Sequence, residues 1–325
     1  MIDLRAAIAA RTGALASLAD PVDATALLQL LRLLYDTGRE DLPLGRLFEG
    51  HVDAMQIVSR YGTAAQRDEL SGIVKAGAML GVWNAELAGE PLRLTADRIT
   101  GGKSFASGAG ILSHALVTVE AAGNERRLVL IDLARTPPAI DRSFWTVVGM
   151  QRSQTHIVRW HDAAILPDDL IGEPGAYVRE PWFSGGALRF AAVQAGGLAA
   201  LVDHTRDHLV ATGRAADPHQ CGRLAALYGL SETAAGAVRT AAAGWFAGDE
   251  ARLPLIAAAR AAVYEAGGRA LMLAQEAVGV QALFVGHPLA ATITDLSMYL
   301  RQPGPDAQRM QVGAAVAARV LVPAL

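Results

Sequence analysis

Apolar residues recur at helical spacing through the first 75 positions of the chain. One stripe consists of Ala26, Leu27, Leu30, Leu31 and Leu34, and the following helix carries Val52, Met55, Gln56 and Ser59. Asp23 and Thr63 are expected to cap helices, and Gly38 and Gly62 to end them. This part of the chain is therefore predicted to be helical.

The pattern changes at about residue 79 to short apolar runs bounded by Gly, Pro, Asn and Asp. The runs cover residues 81–84, 115–120, 127–132 and 156–160, with turn residues at 137–138, 167 and 172–175. Short runs at near-regular spacing indicate antiparallel strands in a barrel or sandwich.

Long Ala-rich helical patterns return after residue 181. They cover residues 187–212, 219–247, 250–278 and 288–300, and a last helix follows Pro305. Short polar links at 213–218 and 248–249 favour an antiparallel four-helix bundle. Because strands and helices do not alternate, a doubly wound sheet is excluded. The fold class is α+β multi-domain, with a helical domain at 1–78, a β-barrel at 79–180 and the bundle at 181–325.

Composition narrows the classes of partner. The 325 residues are 52% hydrophobic, their net charge is −3, and Cys221 is the one cysteine. Near-neutral charge argues against a nucleic-acid partner, and a single cysteine excludes an internal disulfide. A cytoplasmic location without a membrane anchor is expected, because the sequence has neither a secretory N-terminal pattern nor an apolar run of about 20 residues.

The least helical stretch is GGKSFASGAG, at positions 101–110. It carries Phe105 beside small polar residues, and Trp83 lies on a neighbouring glycine-bounded run. The two rings predict a surface for a flat ligand, although aromatic residues also fill barrel cores. The flanking glycines permit close backbone approach or mark turns.

A series of phrases, in one order along the chain, resembles the acyl-CoA dehydrogenase family. The phrases are residues 47–51, 60–67, 83–86, 102–108, 149–153, 166–172, Arg214 with 218–220, 275–280 and 295–301. The resemblance implies the helical–barrel–bundle fold, an oligomer, and a bound FAD.

The same resemblance assigns residues to the cofactor. Phe105 takes the place of a Trp that stacks on the flavin, and Ser107 that of a Thr that donates to the ring edge. Trp83, Asn84 and Glu86 stand on the adjoining strand, where Ala85 lacks the family's hydroxyl. Arg214, Gln220, Gln275 and Gly279 match the groups that meet the diphosphate and adenine, from a neighbouring subunit. These are the predicted cofactor-binding residues.

The catalytic base of the family has no counterpart at either of its known positions. Pro303 stands where a Glu is expected, and no carboxylate precedes Arg189, the residue matched to a substrate-reading arginine. Gly186 replaces an acidic residue three positions before it. Asp306 is a weak candidate for the base and is equally suited to cap the last helix. His287 is the other titratable residue nearby, more typical of a turn.

Three functions stay open at this point. The first is an FAD flavoprotein acting on acyl-CoA or a similar small molecule, as a homodimer or tetramer or as a heteromer with a catalytic paralogue. The second is a flavin-dependent oxidase or monooxygenase on the same fold. The third is a non-catalytic structural partner that has lost FAD. No metal site is expected, because metal-ligand spacings are not apparent in the sequence.

Overall fold

A computed structural model describes residues 3–302 and 304–323, without the side chain of residue 249. Its contacts divide the chain into two compact units. The first contains the residues up to Asp20, together with Leu47–Val147 and Gln151–Phe183. The second contains Pro21–Arg46, Val148–Met150 and the residues from Ser184 onward. The predicted division into three domains, at 1–78, 79–180 and 181–325, stays a prediction.

Four helices open the chain, as the spacing of apolar residues predicts. They are α1 Leu4–Gly13, α2 Ala24–Glu40, α3 Leu42–Tyr61 and α4 Ala64–Lys75. Asp23 caps α2 through the Ala26 amide, and Thr63 forms a capping box with Gln66 at the start of α4. Gly62 separates α3 from α4, as expected.

The prediction that Gly38 ends a helix is wrong, because α2 continues to Glu40. Gly38 lies instead where α2 crosses the backbone of a later helix. A Cβ atom at this position would stand 2.2 Å from the carbonyl oxygen of Val193. The glycine is needed for close helix approach and not for termination.

The middle of the chain forms an eight-stranded sheet. The strands are β1 Leu80–Trp83, β2 Arg93–Thr95, β3 Arg98–Ala106, β4 His114–Glu120, β5 Arg126–Asp132, β6 Ala139–Asp141, β7 His156–Ala164 and β8 Leu170–Ile171. They pair in the order β6-β7-β3-β2-β4-β5-β8, and β1 adds to β4 in parallel. The predicted barrel is not closed, because the terminal strands of this order, β6 and β8, are two or three residues long and do not pair with each other.

The second half of the chain is helical, and its boundaries fall within three residues of the predicted ones. The helices are α5 Trp182–Gly185, α6 Ala187–Ala211, α7 Pro218–Gly244, α8 Asp249–Val278, α9 Pro288–Tyr299 and α10 Pro305–Ala317. In the second unit α6 packs against α2, α7, α8 and α9, so that it forms the centre of a helical bundle.

The stretch Trp182–Ala211 is long and apolar enough to cross a membrane. However, 72% of its most apolar window is buried inside the protein. Ala191, Leu198 and Leu201 are fully covered by neighbouring residues. This burial is what the position of α6 in the bundle requires, so its hydrophobicity is accounted for by the core.

Candidate functional site

Phe105 stands on a β-bulge near the end of β3. Lys103 pairs with Val158 and Ala106 pairs with His156, so β3 contains one residue more than β7 over this interval. The backbone of Phe105 is left-handed, with φ of 50°. Its side chain is 57% exposed and meets the ring of Phe144 edge-on at 5.1 Å between centroids. The bulge therefore presents an aromatic face to solvent.

Ser107 follows the strand and is held from two sides through its backbone. The indole Nε1 of Trp83 donates to the Ser107 carbonyl oxygen at 2.9 Å. The next amide, that of Gly108, donates to the carbonyl oxygen of Ser153 at 2.8 Å. Trp83 itself is 1% exposed and packs against Trp160 at 6.2 Å, so it supports the exposed surface from inside the sheet.

The Ser107 hydroxyl belongs to a buried group of three hydroxyls. Thr155 Oγ1 donates to Ser107 Oγ at 3.0 Å, and Ser153 Oγ lies 2.8 Å from Thr155 Oγ1. All three residues are at least nine-tenths buried. A buried hydroxyl needs hydrogen-bond partners, and here each one has another as its partner.

Asn84 and Glu86 are tied to a lysine that is completely buried. Lys103 Nζ donates to Glu86 Oε1 at 2.6 Å and to Thr118 Oγ1 at 2.9 Å. Thr118 in turn donates to Asn84 Oδ1 at 3.1 Å. Burial lowers the pKa of Lys103, and the hydrogen bond that its ammonium donates to Glu86 opposes that shift. The network fixes the segment after β1 against β3 and β4.

A buried histidine fixes the beginning of β1. His51 Nδ1 accepts the Leu80 amide at 3.0 Å, and the imidazole is fully shielded from solvent. Burial lowers the pKa of His51 to about 4, because the charged form loses its hydration. The neutral ring is therefore part of the fold near neutral pH.

In the glycine-rich stretch, close packing of the sheet explains one of the candidate glycines. Gly101 has φ of 115°, and a Cβ atom there would lie 2.2 Å from the Pro91 carbonyl oxygen. The close approach at Gly101 is therefore to the protein's own backbone.

In the second unit, Arg214 lies against the end of α8. Its Nη2 donates to the carbonyl oxygen of Ala277 at 3.2 Å, between Gln275 and Gly279 in sequence. Gly279 ends the helix with φ of 83°. Three of the residues matched to the diphosphate and adenine contacts are thus brought to one helix end, where the guanidinium is exposed.

Gln220 lies in the first turn of α7. Asp217 caps this turn by accepting the amides of His219 and Gln220. The Gln220 side chain is buried, and its Oε1 has no hydrogen-bond partner among the described residues. A buried amide oxygen in this state is open to a donor from outside the chain.

The positions expected to hold a base contain no poised carboxylate among the described residues. Asp306 is in the first turn of α10, where its side chain is 85% exposed and pairs with Arg309 at 2.8 Å. The helix cap is Gly304, so capping by Asp306 is wrong. His287 caps α9 through the Leu289 amide. Pro303 lies outside the described residues.

Arg189 is in the first turn of α6, three residues after Gly186, and its guanidinium is partly buried. Farther along the bundle, amides and two guanidiniums line a cavity of about 10 Å³, the room of about one water molecule. Its lining includes Gln194, Gln302 and Arg260. Burial lowers the pKa of Arg260 to about 10. None of its lining residues is a carboxylate, so within the described chain it offers no proton acceptor of the expected kind.

Sequence reasoning missed the residues that hold the candidate surface together. Ser153 and Thr155 belong to a phrase, residues 152–155, that lies far from Ser107 in sequence, and Lys103 reads as an ordinary strand lysine. The alternation of Ser and Thr at 153 and 155 is the one signal that could have indicated a buried hydroxyl pair. Among the described residues, no group of three or more His, Cys, Asp or Glu side chains is placed to hold a metal ion.

Comparison with known proteins identifies the fold. No family model matches the chain, and no curated protein matches it by sequence. Among solved structures, dibenzothiophene monooxygenase TdsC from Paenibacillus sp. A11-2, also determined with FMN and indole, is similar with a TM-score of 0.79 and 16% identity over 90% of this chain and 84% of that one.

Butyryl-CoA dehydrogenase from Megasphaera elsdenii is similar with a TM-score of 0.76 and 16% identity, over 92% of this chain and 83% of that one. KijD3, solved with dTDP, has a TM-score of 0.75 and 20% identity over the same shares. The chain has the acyl-CoA dehydrogenase fold, as the resemblance in its sequence predicts.

Proposed function

We propose that the chain is an FAD flavoprotein of the acyl-CoA dehydrogenase type, acting on an acyl thioester or a related small substrate. The observation that carries the proposal is the exposed ring of Phe105 on a bulge, with the buried hydroxyl of Ser107 two residues further on. Strained, outward-facing residues of this kind cluster at ligand sites. A flavin needs an aromatic or apolar face and a few donors at its polar edge, and these two residues supply both.

A flavin bound at this surface would supply the acceptor for a hydride. The chain's own residues would hold it: Phe105 against the ring and Ser107 at the edge, with Trp83, Asn84 and Glu86 supporting them through the Ser107 carbonyl and the Lys103 network. FAD is favoured over FMN by Arg214, since a guanidinium binds a diphosphate in a bidentate way. Gln220, Gln275 and Gly279 would serve the same end, in a second protomer's site.

Dehydrogenation of an acyl thioester also needs a base for the α-proton. The sequence has Pro303 and Gly186 at the matched positions, and Asp306 is exposed and paired with Arg309. We therefore propose that the chain forms a heteromer in which a catalytic paralogue keeps the base.

A second candidate is favoured by the same absence. A flavin-dependent oxidase or monooxygenase that uses oxygen does not require the α-proton base, and the similar TdsC structure is that of a monooxygenase solved with FMN. A non-catalytic partner without flavin is the third candidate, and it is the one that the exposed Phe105 surface argues against.

Flavin content and cofactor choice test the proposal. The purified protein, or the apoprotein after addition of cofactor, is expected to bind FAD more tightly than FMN. Arg214→Gln should weaken FAD and leave FMN unchanged, because only FAD carries the diphosphate that Arg214 would meet. Arg223→Gln, a change in the first half of α7, is a control for lost charge. Failure to bind either flavin would exclude a flavoprotein, and equal affinities would remove the case for FAD.

A further inference from the structure

We infer that Ser153 and Thr155 are positioning residues that direct the hydroxyl proton of Ser107 outward, toward an acceptor on the edge of a flat heteroaromatic ligand. The inference rests on the proposed function, since the flavin edge is the ligand in question. It adds to that proposal a reason why Ser107 acts as a donor. Neither residue contacts the ligand in this account; both act through Ser107.

The direction of the three-hydroxyl group follows from counting protons. Thr155 has one hydroxyl proton and donates it to Ser107 Oγ at 3.0 Å. The contact of 2.8 Å between Ser153 Oγ and Thr155 Oγ1 must then use the proton of Ser153. Donation therefore runs from Ser153 through Thr155 to Ser107.

Ser107 is the end of this series. Its Oγ accepts from Thr155, and its carbonyl oxygen accepts from the Trp83 indole. No acceptor for its own hydroxyl proton is present among the described residues. A donor that is nearly buried gains free energy when it finds an acceptor, so an incoming ligand edge satisfies it. Adjacent hydroxyls that donate in one direction also polarise each other, which strengthens the last donor.

The backbone keeps the hydroxyls in register. Gly108 donates to the Ser153 carbonyl at 2.8 Å, and Ala109 donates to the Gln154 carbonyl at 3.2 Å. The segment that carries Ser153 and Thr155 is thus hydrogen-bonded to the segment that follows Ser107. Ser153 and Thr155 are 1% and 4% exposed, so solvent does not compete for their hydroxyls.

A double-mutant cycle on the apoprotein tests the inference, with the dissociation constant of FAD and the visible absorbance maxima of the bound flavin as readouts. Thr155→Val keeps the shape of the side chain and removes the hydroxyl. We expect it to raise the dissociation constant about threefold to tenfold, as the loss of one net hydrogen bond does. Ser107→Ala should have a similar effect and shift the absorbance maxima in the same direction.

The decisive comparison is the double variant. If Thr155 acts through Ser107, then Thr155→Val has no further effect once Ser107→Ala is present, because the proton that it directs is gone. Thr155→Ser should restore the wild-type values. If the two penalties instead multiply, or if Thr155→Ser fails to restore binding while the apoprotein unfolds at an unchanged temperature, the role of Thr155 is only structural.

Ser153→Ala is the second variant, for use if Thr155→Val does not fold. It should raise the dissociation constant by about twofold, since Thr155 keeps its proton but loses the polarising donor. If the wild-type protein binds FAD and neither variant changes the dissociation constant, the inference is wrong, whereas the proposed function stands. A wild-type protein that binds no flavin overturns the proposed function and, with it, the use of these hydroxyls.

Discussion

The end of strand β3 and the sequence that follows helix α9 differ in the number of residues on which their proposed roles depend. At the end of β3 a bulge exposes Phe105, while Trp83 and Thr155 hold Ser107 from within. In the sequence after α9, the acyl-CoA dehydrogenase resemblance implies one carboxylate, and Pro303 stands at that position of the sequence.

The contrast explains how a binding surface and a reaction can separate. The aromatic surface at Phe105 depends on backbone geometry and on several buried contacts. Phe105 in place of the Trp that the resemblance implies therefore keeps an aromatic ring at this surface. The proton acceptor depends on one side chain at one position. A substitution at the position matched to the base therefore leaves the proposed cofactor surface unchanged.

The largest expected effect is a loss of folding stability at low pH through His51, which accepts a hydrogen bond from the Leu80 amide at the start of β1. The pKa of the His51 imidazole is 6.5 in the unfolded chain and about 4 in the folded protein. Between these values the unfolded state binds more protons, so stability falls as the pH falls. The shift corresponds to about 3 kcal/mol.

Urea unfolding at pH 7 and at pH 4 measures this loss. His51→Gln should be less stable at pH 7 but should lack that part of the acid dependence. His161→Gln, a change at an exposed histidine of β7, is the matched control and should leave the dependence unchanged. If His51→Gln shows the full wild-type acid dependence, His51 is not the group responsible.

The second effect concerns the lysine network beneath the aromatic surface. Glu86→Leu leaves the fully buried Lys103 ammonium with the Thr118 hydroxyl as its hydrogen-bond partner among the described residues. We expect the free energy of unfolding to fall by about 2 kcal/mol, less than for a fully buried pair because Glu86 is partly exposed. Glu86→Gln keeps an acceptor and should cost less, as measured by urea unfolding at pH 7. Equal costs would show that the charge of Glu86 is unimportant.

The third prediction separates the effect of the left-handed backbone at Phe105 on stability from the effect of its ring on flavin binding. Phe105→Gly and Phe105→Ala both remove the ring, so both should weaken flavin binding. The glycine variant should be more stable than the alanine variant by about 1 kcal/mol, because a left-handed backbone costs an L-residue that much. Thermal unfolding of the two apoproteins measures the difference. Equal stabilities would mean that the left-handed conformation at Phe105 is unstrained or is lost in the variants.

The smallest effect is expected at the other region. Asp306→Asn removes an exposed ion pair with Arg309, and such pairs contribute about 0–1 kcal/mol. Stability, flavin binding and any reaction with acyl-CoA should stay near the wild-type values. A large loss of reaction in this variant would identify Asp306 as the base after all.

Much of this architecture can be predicted from sequence, because helices of 12 to 30 residues carry many turns of periodic signal. Asp23 and Thr63 were recognisable as caps since they depend on local chemistry. The prediction for Gly38 is wrong, because a glycine is required there by the close approach of the Val193 backbone, which is distant in sequence. The closure of the sheet could not be predicted either, since pairing of short strands is set by tertiary packing.

The candidate site was predictable only in part, for the same reason. Phe105 and Ser107 stand out within a glycine-rich stretch, which resembles a sequence motif of the acyl-CoA dehydrogenase family. The bulge that exposes Phe105 arises from the pairing of β3 with β7, and Thr155 reaches Ser107 from 48 positions away. Such contacts leave no local pattern, and their functional roles stay predictions.

The visible spectrum of the protein in the presence of FAD, recorded without oxygen before and after addition of an acyl-CoA, tests the central claim most directly. We predict flavin absorbance bands that the acyl-CoA does not bleach, because Phe105 and Ser107 would hold the flavin while the positions matched to the base carry no carboxylate in the sequence. A protein that binds no FAD would contradict the first half of the claim. Rapid bleaching by the acyl-CoA alone would contradict the second, since it requires a base within the chain.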